Sequence, residues 1–242
     1  MKILNLGCGT KASPNPDVIN IDWSVHLILK KNRIGRIIVP LFAKGQRLKR
    51  FSSLPDNIMF RNLTKRFPFS SDTIDVVYHS HLLEHFDPLV AEKFLLEVRR
   101  VLKPSGIQRI VVPDLEQACK AYLANLSLCE VDPEEAGNHD RFVATIIEQC
   151  VRRQAYGASQ QKPFNRYIEN MLLGDARRRG ETHQWMYDKI NLCALLTRLG
   201  YKNPLLQRYD TSSIPNWSQY GLDIGEDGRE YKPESLYMEV QK

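Results

Sequence analysis

Gly7 and Gly9, set directly behind the first apolar run, constrain this chain more than any other feature. Ile3-Leu4-Asn5-Leu6 has the composition of a short buried strand, and it runs at once into Gly7-Cys8-Gly9-Thr10. A second apolar run, Val18-Ile19-Asn20-Ile21, closes on Asp22. A strand, a Gly-x-Gly turn and an acidic residue ending the next strand form a device for gripping a nucleoside. The glycines let the backbone approach the ligand, and the carboxylate accepts hydrogen bonds from ribose hydroxyls.

The spacing bears on which nucleoside. Gly7-x-Gly9-x-x-Ala12 satisfies the dinucleotide fingerprint in letters, but that fingerprint works by opening a helix whose N-terminus holds a pyrophosphate. Here the chain continues Lys11-Ala12-Ser13-Pro14-Asn15-Pro16-Asp17, with two prolines where the helix should run. Twelve residues separate Gly9 from Asp22, against about twenty in the dinucleotide version. With no room for a phosphate helix, the expected ligand carries a ribose and a base without a pyrophosphate. S-adenosyl-L-methionine answers that description.

Downstream, Phe67 to Tyr78 reads as a turn entering a buried strand, followed by His79-Ser80-His81-Leu82-Leu83-Glu84-His85-Phe86. Apolar residues at Phe94, Leu95, Val98, Val101 and Leu102 predict an amphipathic helix over Leu89–Leu102. Lys103-Pro104-Ser105-Gly106 then predicts a helix end and a turn into a strand over Ile107–Val112. The segments LNLGCGT, FPFSSDTIDVVYHSHLLEH and EVRRVLKPSGIQRIVVPDLE together resemble the class I S-adenosylmethionine-dependent methyltransferases, in their small-molecule, type 11-like branch. The resemblance runs in order from residue 3 to about residue 116. HQWMYDKINLCALLTRLGY is similar to the late helix of such enzymes, and the ending DGREYKPESLYMEVQK is similar to members found beside glycan-assembly genes.

The resemblance implies an α/β fold, a doubly wound, mostly parallel seven-stranded Rossmann-like sheet ending in an antiparallel hairpin (Leu205–Tyr209 with Leu236–Val240). It also implies roles. Gly7, Cys8 and Gly9 would line the methionine portion of the cofactor, Asp22 would hold the ribose, and Trp23 would stand near the adenine. Asn62 and Leu63 fall at the pair that contacts the adenine edge. Asn62 stands where an aspartate is common, and Asn5 replaces the acidic residue common before the first glycine. These two departures motivate a non-catalytic alternative, a binding or scaffold subunit on the same fold.

Ligands of open α/β sheets bind at the C-terminal ends of the strands, which predicts His79, Ser80 and His81 at the mouth of the pocket, with His79 among the residues expected to bind the cofactor. Methyl transfer to a hydroxyl or amine needs an aligned acceptor and a group to take its proton. His81 is the first candidate for that catalytic role and His85 the second; helix capping or packing is the competing use of either. His183 is a further candidate, placed by the sequence on the late helix. His81-Leu82-Leu83-Glu84-His85 also matches a zinc-protease string, which on a helix would put both histidines on one face. Its position at a strand end and the lack of an evident third ligand lead to an expectation of no metal.

The basic residues are unevenly spread. Eleven lysines and arginines lie between Trp23 and Arg66 against the single Asp56, whereas the whole chain carries +6. This stretch, taken as an insert over 23–57, also holds apolar residues such as Leu27, Ile37 and Phe42. Three readings stay open: contact of residues 25–50 with an anionic membrane surface, binding of a phosphate-bearing substrate, or a solvated lid. Nucleic acid ranks lower, because the insert has few aromatic stacking platforms and His79-Ser80-His81 stands where base-modifying relatives carry an Asn/Asp-Pro-Pro signature.

At 242 residues and 43% hydrophobic the chain suits one core. The layout expected is a single methyltransferase domain over 1–242, with a helical insertion or cap over 114–180 (helical spacing at Leu115–Leu126, Arg141–Arg153 and Asn165–Arg178) and the late helix and hairpin over 181–242. Five scattered cysteines, no signal peptide and no run long enough to span a bilayer lead to a cytoplasmic expectation, with a peripheral place at the inner face of the membrane left open. The expected function is methyl transfer from S-adenosyl-L-methionine to a small or glycan-like acceptor, anionic or lipid-linked. The scaffold and an RNA methyltransferase are the alternatives.

Overall fold

The structure is a computed structural model and describes residues 1–23, 27, 29–30, 32, 48, 51–52, 55–132, 137–150 and 182–242. Most of the basic insert and the helical spacing at 165–178 lie outside the described residues.

Seven strands form one sheet: β1 (Ile3–Leu6), β2 (Val18–Asp22), β3 (Ile58–Phe60), β4 (Ile74–Ser80), β5 (Leu102–Pro113), β6 (Lys202–Gln207) and β7 (Ser235–Gln241). Their spatial order is β3-β2-β1-β4-β5-β7-β6. The first five are parallel, and β7 runs antiparallel between β5 and β6. β1 and β4 are therefore neighbours from which the chain winds in opposite directions, and that switch point opens a crevice at the strand ends.

The buried runs of β1, β4 and β5 explain their central places, since a parallel strand is covered on both faces. One face carries the main core, in which Leu4, Leu6, Val77, Ile110 and Val112 meet Ala91, Phe94, Leu95 and Val98 of helix α1 (Pro88–Val101). Asp87 caps α1 by accepting from the Leu89 N–H, and Pro88 occupies its first turn. The other face is closed by Ile214, Trp217, Tyr220 and Leu222, packed on Ile3, Val76, Tyr78 and Val111. Helices α2 (Leu115–Val131) and α3 (His139–Cys150) follow β5, and α4 (Lys189–Arg198) precedes the closing hairpin.

Two local expectations change. Residues 103–106 continue β5 from Leu102 instead of ending the helix in a turn, because Leu102 already pairs with Ile74 and a register shift absorbs the irregularity. His183 precedes α4, which starts only at Lys189 behind the Asp188 capping box.

Candidate functional site

The loop after β1 and the end of β2 meet at the switch point. Gly7 has φ +68°, and a Cβ there would lie 2.9 Å from Leu82 Cδ1, so a side chain would be strained and would have to displace Leu82. Gly9 has φ +51°, and nothing lies within 4 Å of where its Cβ would be. Its backbone N–H donates to Asp22 Oδ2 at 2.8 Å. The carboxylate that ends β2 is thus clamped beside an open cradle over Gly9.

No helix begins at the glycines; residues 10–17 are turns and irregular chain. Buried irregular backbone must find partners elsewhere, and two buried asparagines supply them. Asn20 accepts from Ser13 N (3.0 Å) and donates to Ser13 O (2.9 Å). Asn5 Nδ2 donates to Asn20 Oδ1 (2.9 Å) and to Lys11 O (3.0 Å). The Lys11 ammonium reaches the Ile224 carbonyl at 2.6 Å, and Ser13 Oγ donates to Tyr220 O at 2.8 Å. Asn5 therefore holds the loop from beneath, and its amide protons are committed to the chain itself.

The remaining cofactor candidates divide. Cys8 is buried against Leu27 and Ile58, and burial together with the Asp22 charge pushes its thiol pKa far up. Trp23 packs against the main core at the end of β2. Asn62 follows β3, but its Oδ1 accepts from Thr64 N and Thr64 Oγ1, both at 2.8 Å, so an adenine amino group would compete with that turn. The Leu63 side chain is fully buried in the main core and leaves only its backbone to face a ligand.

His79 is not at the pocket mouth. It is fully buried, its ring stands edge-on to Phe94 with centroids 5.3 Å apart, and its Nε2 lies 2.9 Å from Gln108 Nε2. The pleat of β4 turns its side chain into the core, one residue short of the strand's end. Burial holds it neutral, with its pKa lowered to about 3.

His81 does emerge at the end of β4. Its backbone has φ +49°, and its N–H donates to Val111 O at 2.9 Å. Nε2 lies 2.8 Å from Ser235 Oγ, and Nδ1 lies 3.6 Å from Glu84 Oε1. Burial, chiefly, and the charges of Lys232, His183 and His85 lower its pKa to about 3. Leu83–His85 is a single turn of 3-10 helix, so His81 and His85 do not share an α-helical face. Instead they flank Glu84, whose side chain is fully buried and whose pKa is raised by that burial to about 8. His85 Nε2 is 3.9 Å from Glu84 Oε1, and His85 Nδ1 is 3.2 Å from the Thr182 carbonyl. His183 stands edge-on to His85, with ring centroids 4.8 Å apart.

What the sequence did not disclose is that Glu84 and His183 meet. His183 is brought in by the segment before α4, where the N–H groups of Gln184 and Trp185 donate to Glu84 O at 2.7 and 3.3 Å. Nothing local marks a contact between residues so far apart in the chain. The third group that the histidine string lacked in sequence is thus present in space. Away from both places, a cleft of about 330 Å³ lies beside Lys65, Arg66 and Lys93, but its Arg100 is already bound to Glu97.

The family described as a methyltransferase domain matches residues 43–110, less than half of the chain. No protein of curated function matches. Among solved structures the chain is similar to an S-adenosylmethionine-dependent methyltransferase from Archaeoglobus fulgidus (14% identity, TM-score 0.44, covering 100% of this chain and 86% of that one). It is similar also to one from Mesorhizobium loti (15%, 0.44, 100% and 90%). A third is the 1,6-didemethyltoxoflavin-N1-methyltransferase of Burkholderia thailandensis, solved with S-adenosylhomocysteine (12%, 0.41, 99% and 70%). Identities this low say nothing about the acceptor. Among the described residues no helix is long and apolar enough to cross a membrane.

Proposed function

We propose that the chain transfers a methyl group from S-adenosyl-L-methionine to a small or glycan-like acceptor, anionic or lipid-linked. The observation that carries this reading is the Gly9–Asp22 clamp: an open glycine cradle, a carboxylate ending β2 and a crevice without a phosphate helix. A ribose fits the carboxylate, and an amino-acid tail fits a loop that offers backbone and no helix terminus. When bound, the cofactor supplies an electrophilic methyl carbon on a sulfonium. Gly7, Cys8 and Gly9 would hold its tail, Asp22 its ribose, and Trp23 with the backbone at Asn62 and Leu63 its adenine.

His81 and His85, at the end of β4, are the residues we assign to the acceptor. Their side chains are 22% and 20% exposed, enough for a ligand to reach them. The anchors on Ser235 and on Thr182 fix both rings, and fixed geometry is most of what methyl transfer asks of a protein. The whole chain is read as one domain. In this reading the 114–180 segment caps the pocket, and the basic stretch meets the anionic part of the acceptor or the membrane face that presents it, on the cytoplasmic side.

The test is incubation with S-adenosylmethionine labelled in its methyl group and a cell extract separated into small polar, lipid-linked and RNA fractions. Label in the small polar or lipid-linked fraction, lost in His81→Ala, supports the proposal. Label confined to RNA moves the assignment to the RNA alternative.

A further inference from the structure

The turn that follows β4 buries a carboxyl group that no hydrogen bond among the described residues satisfies. Glu84 is fully buried, and among the described residues neither of its carboxylate oxygens has a hydrogen-bond partner. Burial disfavours the charged form, so a carboxyl group in that condition either keeps a proton or has a cation complete the site. Imidazoles approach it closely: His81 Nδ1 and His85 Nε2 lie 3.6 and 3.9 Å from Oε1. One ligand atom from each of Glu84, His85 and His183 can be chosen so that all lie within 4.8 Å of one another.

The orientation of His85 sharpens the point. Its Nδ1 lies 3.2 Å from the Thr182 carbonyl. A carbonyl only accepts, so Nδ1 carries a proton and Nε2 is the nitrogen that faces Glu84. A histidine with one nitrogen tied to a backbone carbonyl and the other facing a carboxylate has the tautomer and support of a metal ligand. The same short segment also supplies His183, and it is fixed to the turn through the Gln184 and Trp185 N–H bonds to Glu84 O. Two tied segments therefore present three donors to one point.

We infer that Glu84, His85 and His183 bind a divalent transition-metal ion, for which zinc is the best match to two imidazoles and a carboxylate. Tetrahedral zinc with bonds of about 2.1 Å holds its donors about 3.4 Å apart. The donors here would close by an ångström or so, within reach of side-chain adjustment. The partly exposed rings of His85 and His183 leave a way in. Three protein ligands leave a fourth position beside His81, and an acceptor oxygen bound there would hold its proton less tightly. That role rests on the methyl-transfer reading; the ion's binding does not.

The experiment uses the full chain, stripped with a chelator and titrated with zinc chloride by calorimetry, with metal content counted by mass spectrometry. Glu84→Gln and His183→Ala are run in parallel, each checked for folding by its thermal transition. The expected result is one zinc per chain, a thermal transition raised by zinc in the wild type, and affinity weakened more than about 100-fold in both variants, beyond the loss seen when only an outer partner of a ligand is removed. Should Glu84→Gln not fold, the partly exposed His183→Ala decides alone. Less than one bound zinc, or binding that His183→Ala leaves unchanged, overturns the inference and makes a proton the cation at Glu84. S-adenosylhomocysteine titrated into the same samples separates failure of this site from failure of the methyl-transfer reading.

Discussion

Arg109 offers the sharpest test of what holds the ligand loop in place. Its guanidinium is fully buried on β5. Nε donates to Asp223 Oδ2 at 2.7 Å, one terminal nitrogen to Glu239 Oε1 at 2.7 Å and Thr211 O at 3.0 Å, and the other to Arg208 O at 2.8 Å. Asp223 in turn takes the Tyr78 hydroxyl at 2.7 Å and the Trp217 indole N–H at 2.6 Å. Lys11 of the glycine loop rests on the next carbonyl, Ile224 O. One cation thus joins β5, β7, the segment covering the second face and, through that segment, the loop. Arg109→Met keeps most of the stem and strands two buried carboxylates, which costs about 3–5 kcal/mol. With an unfolding entropy of about 0.5 kcal/mol per kelvin for 242 residues, the melting temperature should fall by about 6–10 °C in calorimetry at neutral pH. The sign with pH follows from Glu239, whose pKa is lowered in the fold by hydrogen bonds from Ser212, Ser213 and Arg109, against its burial. That group stabilises above its unfolded pKa and ceases to as pH falls through the folded one. In the variant the bare carboxylate is easier to protonate, so the gap to wild type should narrow in acid. A fall under about 2 °C, or a gap that widens in acid, would refute the reasoning.

Two further substitutions separate the pocket from the core. Gly7→Ala must hold φ +68° and push Leu82 aside; with about 1–2 kcal/mol of left-handed strain, we expect a melting temperature lower by roughly 2–4 °C and several-fold weaker S-adenosylhomocysteine binding by calorimetry. Unchanged binding would mean that the loop adapts and Gly7 does not shape the site. His79→Leu removes the partner of the Gln108 amide, a loss of about 1–3 kcal/mol of stability, while S-adenosylhomocysteine affinity stays within about twofold. A fivefold or larger change would place the ring in the pocket after all.

The parts of this molecule that the sequence discloses are those governed by local spacing. Ile3–Leu6 and Val18–Asp22 form the strands their apolar runs predict, and the prolines at 14 and 16 do exclude a phosphate helix. α1 follows its heptad-spaced apolar residues to within a residue at each end. What stayed hidden depends on which way a side chain turns or on contacts between distant segments. His79 and His81 are two apart, a spacing that would put both on one face of a strand; β4 ends at Ser80 and His81 turns away at φ +49°, so only the first enters the core. Asn5 and Asn62 look like weakened ligand contacts in sequence, whereas in space the first braces a loop and the second closes a turn. The meeting of Glu84 with His183, and the burial of Arg109 among Asp223 and Glu239, cross intervals that no periodicity encodes.

The central claim is that Gly7, Gly9 and Asp22 hold a nucleoside with an amino-acid tail. Calorimetric titration of the wild-type chain with S-adenosylhomocysteine, repeated on Asp22→Ala, tests it most directly. Micromolar binding to the wild type, weakened by about 1–3 kcal/mol when the charged partner is lost in a variant that still melts cooperatively, is the predicted result. No binding to the wild type, or equal binding to a folded Asp22→Ala, would contradict the account.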